Sequence, residues 1–136
     1  MPAGIHAHDP CPCHSKAGYA RCCGPFHDGA PAPTPEALMR SRYSAYALGL
    51  IDYLIDTTDP ESPHAREDRD AWTADLQAFV RATRFVGLEI GGAGEHDDQG
   101  WVSFRAVLVQ GKRDASFRER STFVRREGRW YYVAGS

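Results

Sequence analysis

Apolar residues recur at helical spacing in three early stretches of the chain and then switch to alternation. Met39, Tyr43, Tyr46 and Leu50 fall at i, i+4, i+7 and i+11, with Leu38 and Ala45 alongside, so one stripe of a helix ending near Leu48 faces a core. Thr34-Pro35-Glu36 supplies the start, with a hydroxyl cap, a proline in the first turn and an acid at the positive end of the helix dipole. Gly49 ends it. A short second helix, Leu50 to about Thr57, turns Ile51, Leu54 and Ile55 inward and stops before Asp59-Pro60. The stretch from Pro60 to Glu67 reads as a polar loop. A third helix, from about Asp68 to Thr83, places Trp72, Leu76, Phe79 and Val80 on one face.

Period two follows. Phe85 to Ile90 reads as a strand, Gly91-Gly92-Ala93-Gly94 as a bulge, and Asp97-Asp98-Gln99-Gly100 as a turn. Further strands run from Trp101 to Val109, from Ala115 to Arg125 and from Trp130 to Ala134, with turns at Gln110-Gly111-Lys112 and Glu127-Gly128. Helices followed by a meander of strands is the α+β order. Upstream, Gly29-Ala30-Pro31-Ala32-Pro33 is an extended connector, and residues 1–10, without periodicity, are expected to be disordered.

A chain of 136 residues is one domain plus a small appendage. Its apolar runs are too short to span a membrane, and nothing near Met1 resembles a signal peptide, so a cytoplasmic location is expected. The net charge of −2 hides an asymmetry: residues 50–100 hold 12 acidic and 4 basic side chains, residues 101–136 hold 8 basic and 3 acidic. Arg105, Arg118, Arg120 and Arg125 in the basic segment either form a solvated sheet face or offer phosphate contacts; the solvated face is preferred and nucleic acid is not the favoured partner.

All four cysteines lie in thirteen residues, Cys11-Pro12-Cys13 and Cys22-Cys23. One loop with this spacing can bring four thiolates around a single Zn²⁺ at about 2.3 Å each. Four thiolates leave no open position for water or substrate, so such a site is structural. Disulfides and free thiols are the alternatives; a bridge between adjacent Cys22 and Cys23 would be strained, and no oxidising compartment is indicated. His14 and His27 are near enough to replace a cysteine as ligand.

The segment Cys11-Pro12-Cys13-His14-Ser15, Tyr19 and Cys22-Cys23-Gly24 resembles the SEC-C motif, a zinc module also found at the tail of the preprotein translocase motor. His14 stands where that motif usually has glycine. With Leu38 to Tyr43, Asp52-Tyr53-Leu54-Ile55, Glu119-Arg120-Ser121, Phe123 and Gly128-Arg129-Trp130-Tyr131-Tyr132, nearly the whole chain resembles the YchJ family, which is uncharacterised. The resemblance implies a nuclear transport factor 2-like (NTF2-like) cone, three helices on a curved antiparallel sheet, at residues 34–136, behind a leader and zinc module at residues 1–28. It also implies a docking role, since modules of this kind attach the translocase motor to an export chaperone and to the ribosome. The expected partner is a protein or ribonucleoprotein bound through the zinc module.

The NTF2-like fold encloses a cavity that unrelated members use differently. Phe117, Glu119, Ser121 and Phe123 alternate onto one face, so phenylalanines pointing inward carry Glu119 with them. A buried carboxylate must be paired or neutral. Arg40 or Arg42 is the expected ion-pair partner, with Tyr43 also in reach. The other reading makes Glu119 an acid or base in a cavity lined by Tyr43, Tyr46, Trp72, Ser121 and Trp130. The favoured function is therefore a small zinc-stapled adaptor; the alternative is an enzyme or small-molecule binder using the cavity around Glu119.

Overall fold

The computed structural model describes residues 4–136. A single 3-10 turn, Tyr19–Arg21, and a four-residue helix α1 (Gly24–His27) close the cysteine loop. Three helices follow, α2 (Pro35–Leu48), α3 (Ile51–Asp56) and α4 (Arg69–Ala82), and then strands β1 (Arg84–His96), β2 (Gln99–Gln110), β3 (Arg113–Asp114), β4 (Phe117–Arg126) and β5 (Arg129–Gly135).

Capping accounts for the helix ends. The Thr34 hydroxyl accepts from the Ala37 amide at 3.0 Å at the start of α2, and Gly49 at φ 72° closes it. Asp68 caps α4 by accepting from the Ala71 amide at 3.0 Å. The strands form one antiparallel sheet in the order β1-β2-β4-β5, with β3 paired to β2. Register shifts at Phe85/Gly87, Ile90/Gly92 and Thr122/Phe123 bend the sheet around the helices. The bulge expected in the glycine stretch is present at Ile90/Gly92, but the strand does not end at Ile90: Gly92 and Gly94 lie under the Trp101 ring and the ladder stays paired to His96.

Two apolar clusters tie the helices to the sheet and to one another. Leu38, Met39 and Tyr43 of α2 pack on Leu88, Val102, Phe104, Ala106, Leu108 and Phe123 of the sheet. Ala45, Ile51, Leu54 and Ile55 join α2 to α3 and meet Trp72, Leu76 and Val80 of α4. The stripe on α4 is less buried than its spacing implies: no α4 residue is fully buried, and Phe79 remains 36% exposed. Those side chains face a void rather than a packed sheet.

Two expectations are corrected by these contacts. Residues 4–10 are folded: Ile5 is buried beside the cysteines, Pro10 bridges to Gly18, and the Tyr19 amide donates to Asp9 O at 2.8 Å. Residues 1–3 of the expected leader lie outside the described residues. Nor is the cysteine module set apart from the helical domain by its proline connector. Ala32 of the connector is part of the main core, and the module is tied to α2 by polar and aromatic contacts described below.

Candidate functional site

The four sulfurs converge. Cys11, Cys13, Cys22 and Cys23 place their Sγ atoms all within 4.8 Å of one another, with Cys13 to Cys22 at 3.5 Å and Cys22 to Cys23 at 3.9 Å. Four sulfurs about 2.3 Å from one ion at tetrahedral corners stand about 3.8 Å apart, so the cradle fits one metal ion. The loop folds this way because short backbone bonds close it: Cys11 N to Ala17 O at 2.9 Å, His14 N to Cys11 O and Cys22 N to Tyr19 O, both at 3.1 Å. His14 at φ 63° and Lys16 at φ 75° turn left-handed, so the position held by glycine in the motif does require that conformation.

Charge explains why such a cradle suits a cation. Hydrogen bonds from Cys11 and Cys23 hold the Cys13 thiol far below its usual range, and the same bonds push Cys11 up to about 12 and Cys23 upward as well. Four negative charges this close disfavour one another, so ionisation of all four calls for a cation among them. Both candidate histidines are otherwise engaged. His27 Nε2 donates to Ser41 O at 2.8 Å and its Nδ1 accepts from the Tyr19 hydroxyl at 2.5 Å, while burial holds its pKa below the ordinary value. His14 meets the edge of the Tyr43 ring, centroids 5.8 Å apart. Arg40 Nη1 donates to Cys13 O at 3.2 Å, and Leu48 packs on the cysteine cluster.

On the other side of α2 lies a cavity of about 450 Å³ between the helices and the concave sheet face. Phe117, Glu119, Ser121 and Phe123 of β4 all line it, together with Tyr43, Tyr46 and Trp72. Trp130 does not. It shares a face of β5 with Tyr132 but lies further along the strand, packed against Pro35 and Gly100 and outside the cavity.

The expected ion pair is absent. Arg40 pairs with Glu36 one turn away at 3.1 Å, and Arg42 donates to Leu54 O, Thr57 Oγ1 and Thr58 Oγ1. Among the described residues no arginine lies within ion-pair distance of Glu119, which accepts a hydrogen bond from Ser121 Oγ at 2.7 Å. The reason is geometric: Arg42 leaves α2 toward the end of α3, under the Tyr132 ring at 4.6 Å.

Sequence reasoning missed His64, Arg66, Asp75 and Tyr132, which also line the cavity. His64 stacks on Tyr132, and Arg66 pairs with Asp75 across the mouth. The arginines that a phosphate-binding surface would use are largely engaged elsewhere. Arg105 faces Arg118 across the ladder but pairs with Glu89, Arg120 covers Trp101 at 4.3 Å, and Arg125 turns to Asp98. Among the described residues no helix is long and apolar enough to cross a membrane.

Comparison with known proteins agrees with this architecture. Residues 9–25 match the SEC-C motif and residues 34–135 match the middle, NTF2-like domain of YchJ. A UPF0225 protein of Sodalis glossinidius is 44% identical over 132 residues, covering 93% of this chain and 82% of that protein. The solution structure of a SEC-C motif containing protein from Rhodopseudomonas palustris is 40% identical, with a TM-score of 0.80 over 93% of this chain and 96% of that one. A SEC-C motif containing protein from Psychrobacter arcticus has a TM-score of 0.76 at 26% identity, covering 94% of this chain and 82% of that one. With both segments and nearly the full length accounted for, the chain belongs to the YchJ family of UPF0225 proteins.

Proposed function

We propose that this is a zinc protein of two linked parts, a structural Zn²⁺ centre and a cone cavity that receives a small organic molecule. One observation carries the second part: Glu119, which a structural role would pair with an arginine, lines a cavity of about 450 Å³ with only Ser121 as partner. That volume is in the range of small-molecule sites, and the wall combines aromatic rings with a few polar groups. Four thiolates select Zn²⁺ over hard cations and leave it no open position, so the metal staples the loop to α2 and does no chemistry. Ligand-observed NMR with a fragment library on the zinc-loaded chain tests the cavity, using Ala106→Phe, on the cavity wall, as the filled control. Binding that the filled variant abolishes supports the reading; fragments that bind both forms alike refute it.

The second reading is docking of a protein or ribonucleoprotein partner in the cytoplasm through the zinc module. Lys16, Ala20 and Arg21 stand exposed on the outer side of the cysteine loop, leaving a small basic surface free. Loss of a captured partner from a Lys16→Glu, Arg21→Glu variant with its zinc content intact would support docking.

A further inference from the structure

Arg42 is a buried cation without a counter-ion. Only 8% of it is exposed, yet it is among the residues that line the cavity. Its Nη1 donates to Leu54 O at 2.9 Å, Thr57 Oγ1 at 2.7 Å and Thr58 Oγ1 at 3.3 Å, all neutral acceptors. Those hydroxyls spend their own protons on Tyr53 O and Leu54 O, which leaves lone pairs aimed at Nη1 and no negative charge anywhere in the set. Among the described residues no carboxylate is within ion-pair distance of Arg42, and no full hydrogen bond leaves its Nε or Nη2; the Tyr46 oxygen makes only a weaker contact.

A guanidinium does not shed its proton to escape burial, so the charge persists where water is scarce. The tie between α2 and α3 is made by Nη1, and the face of the guanidinium lies against the Tyr132 ring at 4.6 Å. The unused edge is the part that a planar, two-oxygen acceptor fits. The other charged groups on the wall limit the choice. Arg66 is spent on Asp75, and Glu119 would repel a second negative charge. A monoanion is favoured over a phosphate dianion on that ground. Phe85, Phe104, Leu108 and Met39 offer the rest of the ligand an apolar bed.

Resting on the cavity reading above, we propose that the cone binds a small organic monocarboxylate with an apolar, ring-sized body, its carboxylate held by the Nε and Nη2 edge of Arg42. The test uses matched probes on the zinc-loaded full chain: phenylacetate against phenylacetamide, 3-phenylpropionate against its amide, and indole-3-acetate against its amide. Affinities come from calorimetry, and the Arg42 Nε resonance is followed by ¹⁵N NMR. At least one acid should bind tenfold or more tightly than its amide and move the Arg42 Nε signal, and Arg42→Gln should erase that preference. Amides that bind as tightly as acids overturn the carboxylate assignment while the cavity reading stands. Acid binding that leaves the Arg42 signal unmoved overturns it too. If no probe of either kind binds at millimolar concentration and the fragment library also fails, the cavity reading falls and takes this proposal with it. Should Arg42→Gln fail to fold, the acid-to-amide ratio and the Arg42 signal of the unaltered protein still decide.

Discussion

Stripping the metal should loosen the whole protein, not the cysteine loop alone. The module meets α2 through Arg40 Nη1 to Cys13 O and His27 Nε2 to Ser41 O, and through the His14 to Tyr43 and Leu48 to cysteine contacts. Two net hydrogen bonds are worth about 1 kcal/mol each, and partial exposure of the apolar contacts adds about 1–2 kcal/mol. The domain therefore loses about 3–4 kcal/mol, which for a chain of this size is a fall in Tm of about 10–15 °C. Chelation under reducing conditions, with metal loss verified by native mass spectrometry, followed by a near-UV circular dichroism melt of Trp72, Trp101 and Trp130, measures it. An unchanged melting curve after complete metal loss would refute the reasoning and restore an independent module.

Three further outcomes are expected. Asp59, buried behind β5, takes Arg126 Nε at 2.6 Å and Nη2 at 3.2 Å, so Asp59→Asn should cost about 2 kcal/mol in urea melts because the charge-assisted bonds are lost. The Arg126 guanidinium holds the Asp59 carboxyl below the usual carboxylate range; its contribution is present above the unfolded pKa of about 4 and lost as pH falls through the lower folded value. The difference in stability between the parent and Asp59→Asn should accordingly narrow below about pH 4, and a gap that is constant down to pH 2 would contradict the pairing. Glu119→Gln should change stability by less than about 1 kcal/mol, since an amide oxygen can still accept from Ser121; a loss near 3 kcal/mol would reinstate a hidden ion pair.

What the sequence makes legible here is what depends on neighbours in the chain. The cluster of four sulfurs was readable because its cysteines sit within one short loop, and the cap residues Thr34, Asp68 and Gly49 act on their own helices. The wall of the cavity was readable along β4, where alternation alone sends Phe117, Glu119, Ser121 and Phe123 the same way. Partnership across elements was not. A binary pattern says which side of a helix is covered, and Arg42, one residue from Tyr43, therefore looked like the natural mate for an inward Glu119. Which acceptor it reaches depends on where α3 ends, and Leu54 O, Thr57 and Thr58 intercept it first. Trp130 misled for a related reason: alternation puts it on the same face as Tyr132 but does not say how far along β5 the cavity extends, and Trp130 sits beside Pro35 and Gly100, outside it. The consequence reaches function. Two opposite charges that the pattern would join end up apart on one cavity wall, Arg42 held by neutral oxygens and Glu119 by a hydroxyl, and the proposed ligand site rests on that separation.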